Sequence, residues 1–180
     1  FAGCRGLVYV NIPDGTNIIG KGAFSGCSLL QTVQFSDTVT GIYECELYDG
    51  MIELIDSLKA QGVKVGIASS KPLRLIYNVA DHLGITEKFD AIVGVRMDDS
   101  NHSTKTGLIL EAMETMGASD KNEVLMVGDR LYDIEGAKGA GVKSCGVLWG
   151  YGSEEEFRQY EADFIVKEAK EVLGLVKASK

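Results

Sequence analysis

The chain has 180 residues, 45% hydrophobic and 24% charged, with a net charge of −8 and a pI of about 4.8. That composition suits a globular core. The acidic balance and the lack of a basic stripe argue against nucleic acid as a partner, and no apolar run approaches the roughly 18 residues needed to span a bilayer, so no membrane segment is expected.

The chain opens Phe-Ala-Gly-Cys-Arg, with neither a Met nor a signal peptide, so it reads as a piece of something longer. Its cysteines (Cys4, Cys27, Cys45 and Cys145) show no Cys-x-x-Cys and no His at zinc spacing. They are expected to be small buried residues rather than ligands or disulfides.

Residues 1–40 repeat themselves. Phe1-Ala2-Gly3-Cys4 returns as Phe24-Ser25-Gly26-Cys27, a shift of 23 residues. The same shift maps Leu7 to Leu30, Val10 to Val33, Ile12 to Phe35, Asp14 to Asp37 and Ile19 to Ile42. A fixed period in this range signals a solenoid of stacked short strands. The pattern Ile12-Pro13-Asp14, Ile19-Gly20 and Gly22-Ala23-Phe24-Ser25-Gly26-Cys27 resembles the BspA-type leucine-rich repeats of bacterial surface proteins. Cys4 and Cys27 fall on equivalent rungs and are expected to stack in the core. Two turns are too few for an independent solenoid, so a function here would be a binding surface for a protein partner.

From Gly41 the pattern changes. Met51, Leu54, Ile55 and Leu58 give one apolar helical face, ended by Gly62. Val63 to Ala68 reads as a buried strand, followed by a loop at Ser69-Ser70-Lys71-Pro72. Ile76, Val79, Ala80 and Leu83 line a second helix, and Ala91 to Val95 a second strand. Residues 97–104 are a polar loop that includes His102, which is given no role, and Lys105 opens a helix lined by Ile109, Ala112, Met113 and Met116. A strand at 124–127, a helix to about residue 140 and a strand at 144–148 follow. A loop at 149–153, a short helix, a strand at 164–166 and a final helix close the chain. Strand and helix alternate, so the fold class is α/β, a doubly wound parallel sheet.

The centre of this unit is Val124-Leu125-Met126-Val127-Gly128-Asp129-Arg130-Leu131-Tyr132-Asp133. The uninterrupted apolar run suits a strand buried on both faces. Gly128 allows a tight turn, and Asp133 falls in the first turn of the next helix. Two carboxylates then stand at the carboxyl end of a strand, where ligands bind open α/β sheets. They suit a hard cation such as Mg²⁺. Read singly, Asp129 is also a turn residue and Asp133 a helix-start carboxylate favoured by the dipole. Ser69 is equally a strand-end cap, and Lys105 a solvated helix start. Together, a hydroxyl, an ammonium and a carboxylate pair at strand ends suit a phosphate. Trp149 and Tyr151 either line a substrate mouth or pack beneath the loop; packing is preferred.

Residues 41–180 resemble the haloacid dehalogenase (HAD) superfamily, in particular its phosphoglycolate phosphatase-like and pyrophosphatase-like members. The matching stretches are Ile67-Ala68-Ser69-Ser70-Lys71-Pro72, Ser103-Thr104-Lys105, Met126-Val127-Gly128-Asp129-Arg130-x-x-Asp133-Ile134-x-Gly136-Ala137 and Gly146-Val147-Leu148-Trp149-Gly150-Tyr151-Gly152-Ser153. The resemblance implies a Rossmann-like fold and a Mg²⁺-dependent phosphatase acting on small phosphorylated metabolites in the cytoplasm. It implies that Ser69, with Ser70 beside it, binds the phosphoryl group and that Lys105 stabilises its charge. Asp129 would ligate Mg²⁺, and Asp133 would support the ligand shell.

The family's chemistry needs an Asp-x-Asp at the end of the first strand, one Asp to attack phosphorus and one as general acid and base. No Asp-x-Asp-Gly exists in this chain. Leu7 to Thr16 imitates the motif, with Asp14 at the acid/base position, but Ile12 stands where the nucleophile would be. The chain is therefore expected to be inactive or nearly so. The alternative is a non-catalytic fusion with a repeat-based binding surface and a relic phosphate and Mg²⁺ site. The family's first strand lies between the strands corresponding to 63–68 and 124–127, so residues 7–12 are expected to fill that slot.

Overall fold

The computed structural model describes residues 1–16, 18–19, 23–34, 41–42, 47–96 and 104–176. Cys45, His102 and Ser103 lie outside the described residues. The chain divides into two compact units, Phe1–Glu46 and Leu47–Lys180. Among the described residues no helix is long and apolar enough to cross a membrane.

In the first unit, β1 (Tyr9–Asn11) pairs in parallel with β3 (Thr32–Gln34), Tyr9 opposite Thr32. Likewise β2 (Ile18–Ile19) pairs with β4 (Gly41–Ile42), Ile18 opposite Gly41. Both registers equal the 23-residue shift of the sequence. Val10, Ile12 and Ile19 are buried, with Leu7, Phe24, Leu30 and Val33 packed against them. The Phe1 and Phe24 rings stack with centroids 5.9 Å apart.

Two expectations fail here. Residues 7–12 are expected to pair with the strands at 63–68 and 124–127; among the described residues the ladder of β1 is with β3, which satisfies backbone groups locally. Cys4 is exposed and Cys27 only half-buried. The apolar contacts of this rung come from the stacked rings, and the Cys27 thiol turns to the Phe1 carbonyl at 3.0 Å.

The second unit begins with α1 (Met51–Ala60), which buries Leu54, Ile55 and Leu58. Next come β5 (Gly66–Pro72), α2 (Leu73–His82), β6 (Ala91–Val95) and α3 (Lys105–Met116). They are followed by β7 (Leu125–Gly128), α4 (Leu131–Ala140), β8 (Lys143–Val147), α5 (Glu154–Gln159), β9 (Phe164–Val166) and α6 (Ala169–Leu175). Helix α3 starts where the Thr104 side chain accepts the Gly107 N–H at 3.1 Å and stops at Gly117, whose φ of 67° few other residues adopt.

All strands of this unit are parallel, as the alternation requires, but they form two sheets. One is β5-β6 and the other β7-β8-β9; among the described residues β5 and β7 share no ladder. Helix α3 packs on β5, β6 and α4, and α4 packs on β7 and β8, so helices connect the halves. The core between α3 and α4 holds Ile109, Met113, Ala137, Ala140 and Val142. A second core joins α1, β8, β9 and α6 through Leu54, Leu58, Cys145, Val147, Val166 and Val172.

The strand expected at 63–68 runs from Gly66 to Pro72 instead, with a register irregularity between Ser69 and Pro72. Val63 is drawn into the turn after α1, where its N–H donates to the Leu58 carbonyl. The strand at 125–128 is not buried on both faces: Val127 is 36% exposed. A strand with a ladder on one side keeps one flank open.

Candidate active site

The β5–α2 junction, the start of α3 and the β7–α4 turn supply the side chains. Ser69 is half-buried where the regular pairing of β5 with β6 ends, and its Oγ accepts the Lys71 N–H at 3.2 Å. Ser70 is exposed beside it. Lys105 is the first residue of α3, and its Nζ donates to the Ala68 carbonyl at 2.9 Å. The same ammonium meets Asp133 Oδ1 at 2.7 Å, with the two side chains only 15% and 11% exposed. One cation thus ties the end of β5 to the start of α4.

Asp133 is held from its other side, since Oδ2 accepts the Arg130 N–H at 3.1 Å. This satisfies a free donor at the helix start and sets the carboxylate's direction. Gly128 has a different task from the one expected. Its φ is not positive; a β-carbon there would collide with the Asp133 side chain. The glycine is needed because the carboxylate crosses over the strand end.

Asp129 is half-buried, and its Oδ2 accepts the Tyr151 N–H at 3.0 Å. A β-carbon on Gly150 would lie 2.7 Å from Asp129 Cγ, and one on Gly152 would lie 2.5 Å from the Asp129 carbonyl oxygen. The loop after β8 therefore wraps the aspartate closely. Sequence reasoning missed this cradle; its signal was the Gly-Tyr-Gly run. It also missed Glu156, whose Oε1 accepts the Leu131 N–H at 2.8 Å. Trp149 packs against the core as expected, whereas Tyr151 is 84% exposed.

The structure thus brings Lys105, Asp133 and the carbonyl next to Ser69 together, and sets Asp129 four residues earlier on the same turn. No group of three acidic, His or Cys residues able to hold a metal exists among the described residues. The donors present still fit a hard cation of modest protein demand. Asp133 has both oxygens engaged, while Asp129 keeps one carboxylate oxygen with no partner among the described residues. Mg²⁺ commonly takes one or two carboxylates and fills its shell with water and phosphate oxygens.

Comparisons with known proteins agree on one lineage. Residues 29–147 match the haloacid dehalogenase-like hydrolase family. A 5′-nucleotidase of Pseudomonas aeruginosa is 36% identical over 123 residues, 68% of this chain and 55% of that protein. The pyrophosphatase PpaX of Halalkalibacterium halodurans is 33% identical over 131 residues, 73% of this chain and 60% of that protein. Among solved structures, a haloacid dehalogenase-like family hydrolase from Streptococcus pneumoniae superposes with a TM-score of 0.66 at 25% identity, covering 72% of this chain and 60% of the other. The chain spans less than two thirds of the length of these relatives. By the family match and these identities, the chain belongs to the haloacid dehalogenase-like hydrolases.

Proposed function

We propose that residues 41–180 are the carboxyl-terminal core of a Mg²⁺-dependent phosphatase acting on small phosphorylated metabolites in the cytoplasm. This chain binds phosphate and metal but turns substrate over slowly or not at all. The observation that carries the reading is the Lys105 ammonium, held between the strand end that bears Ser69 and the turn that bears Asp129 and Asp133. In this reading the Ser69 hydroxyl, with Ser70 beside it, orients phosphoryl oxygens. Lys105 offsets their charge in a partly dry site, where a charge acts more strongly than in water. Asp129 would hold Mg²⁺ and Asp133 would keep Lys105 in place; the ion, when bound, supplies Lewis-acid polarisation of the phosphate.

The lost step is the attack. Asp14 sits in an exposed turn of the first unit, and the residue two before it is the buried hydrocarbon Ile12. Neither forms the Asp-x-Asp pair that the family's chemistry requires. We read residues 1–40 as leucine-rich-repeat-like, a reading supported by two ladders in the 23-residue register. That register also favours a second reading, a non-catalytic fusion whose repeat presents a protein-binding surface.

The test is calorimetric titration of the purified chain with inorganic phosphate and Mg²⁺, beside hydrolysis of p-nitrophenyl phosphate, for wild type and Asp129→Asn. Phosphate binding that needs Mg²⁺ and is lost in the variant, with no turnover in either, is the expected result. Turnover that vanishes in Asp129→Asn would show that another group attacks. Absence of phosphate binding would overturn the reading, and with it the relic phosphate and Mg²⁺ site of the fusion.

A further inference from the structure

Helices α3 and α4 meet through two notches. A β-carbon on Gly136 would lie 2.8 Å from Lys105 Cβ, closer still to Lys105 Cγ, and 3.3 Å from Ile109 Cδ1. One turn further on, a β-carbon on Gly139 would lie 3.2 Å from Thr106 Cγ2 and collide with Thr106 Oγ1. That hydroxyl donates to the Gly136 carbonyl at 3.3 Å, linking the notches. Both glycines lie inside α4, where neither has a positive φ. A helix interior is a poor place for glycine on propensity grounds. Conformational freedom therefore does not explain them; the close approach of α3 does.

The groups that fill the notches are the near end of Lys105 and its neighbour. The lysine's stem lies across α4 at Gly136, so its first bonds are fixed by packing before its ammonium meets a partner. Only then does Nζ reach the Ala68 carbonyl on β5 and Asp133 in the first turn of α4. A lysine has many rotamers to lose, and side chains locked by packing hold a site more tightly than hydrogen bonds alone.

We propose that Gly136, Gly139 and Thr106 are positioning residues for Lys105. They let α3 and α4 close until one ammonium spans the strand end and the carboxylate turn. The consequence for function rests on the phosphate-binding reading above, but the positioning itself does not.

The test is acylation of the whole 180-residue chain by an N-hydroxysuccinimide ester at one fixed pH, with each lysine's rate read by mass spectrometry. Exposed Lys143 serves as the internal reference. Wild-type Lys105 should react at least tenfold more slowly than Lys143. Gly136→Ala and Gly139→Ala should each raise the Lys105 rate about tenfold and leave Lys143 unchanged. Thr106→Ala should raise it two- to threefold and Thr106→Ser not at all. The double variant Gly139→Ala/Thr106→Ala should return to within threefold of wild type, because the hydroxyl that met the added methyl is gone. Thr106→Ala adds no bulk, so it keeps the test open if a glycine variant does not fold. An unchanged Lys105 rate in a folded Gly136→Ala, or in Thr106→Ala, would overturn the proposal. Protection of wild-type Lys105 by inorganic phosphate is a separate arm. Its absence would count against the phosphate reading while the variant series still decides the positioning.

Discussion

Strands β7 and β8 lie side by side in one ladder, from Leu125 opposite Lys143 to Gly128 opposite Gly146, yet they differ in kind. Strand β8 has a neighbour on each side, and Ser144, Cys145, Gly146 and Val147 are all buried. Among the described residues strand β7 has one neighbour, no fully buried residue, and Val127 at 36% exposure. The covered strand carries inert groups: burial, with a smaller contribution from Glu171, pushes the Cys145 thiol up to about 11. The less covered strand leads into the turn with Asp129 and the helix start with Asp133. Packing density and chemistry are thus divided between neighbours, and the loop after β8 reaches back to hold Asp129.

The sharpest way to break this contrast is at the tie between the halves. Lys105→Ala leaves Asp133 nearly buried without its cation and should cost about 3 kcal/mol, read as the urea midpoint at constant slope. A loss below about 1 kcal/mol would show that the tie does not hold the unit together.

Next, Val147→Ala should cost about 2 kcal/mol, since its side chain is 5% exposed in the core, and Val127→Ala under about 1 kcal/mol. Equal costs would mean that the open flank of β7 is covered in solution.

A polar cut into the β8 side comes third. Ser144 is fully buried, and its N–H and hydroxyl both reach Asp163 Oδ2 at 2.8 Å. Burial pushes the Asp163 carboxyl up, but the hydrogen bonds from Ser144 outweigh it and hold the carboxyl below its ordinary range. Asp163→Ala should cost about 1–2 kcal/mol by stranding those donors, and Asp163→Asn less. Thermal melts of the two variants check the order.

The smallest effect is a pH dependence away from the site. The Lys59 ammonium and the Val65 N–H hold the Asp90 carboxyl below its usual range. A depressed folded pKa means stability that is present above the unfolded value of about 3.9 and lost as pH falls through the folded one. The pair is about one-third exposed, so the loss should stay under about 1 kcal/mol. Urea midpoints from pH 6 to pH 3 for wild type and Asp90→Asn should converge at the acid end. Parallel curves would sink the assignment.

Much of the molecule was legible in one dimension because its signals are local. The apolar spacing of residues 51–58, 76–83 and 105–116 is a property of each helix alone, and those helices stand where the spacing puts them. The 23-residue repeat became a 23-residue strand register because equivalent residues stack on equivalent residues. Ser69, Lys105, Asp129 and Asp133 could be nominated as candidates from residue type and their place near element ends, and of these the structure joins Lys105 to Asp133.

Contacts between distant elements were decided only in three dimensions. A strand pattern at residues 9–11 does not say which strand will accept it, and β1 pairs with β3. The apolar run at 124–127 does not reveal that one flank stays open, because coverage depends on neighbours from elsewhere in the chain. Gly128, Gly136 and Gly150 read as turn or helix residues until the side chains of Asp133, Lys105 and Asp129 lie against them. The joining of Lys105 to Asp133 is likewise tertiary: residue type supplies the two charges, and the approach of α3 to α4 brings them within 2.7 Å.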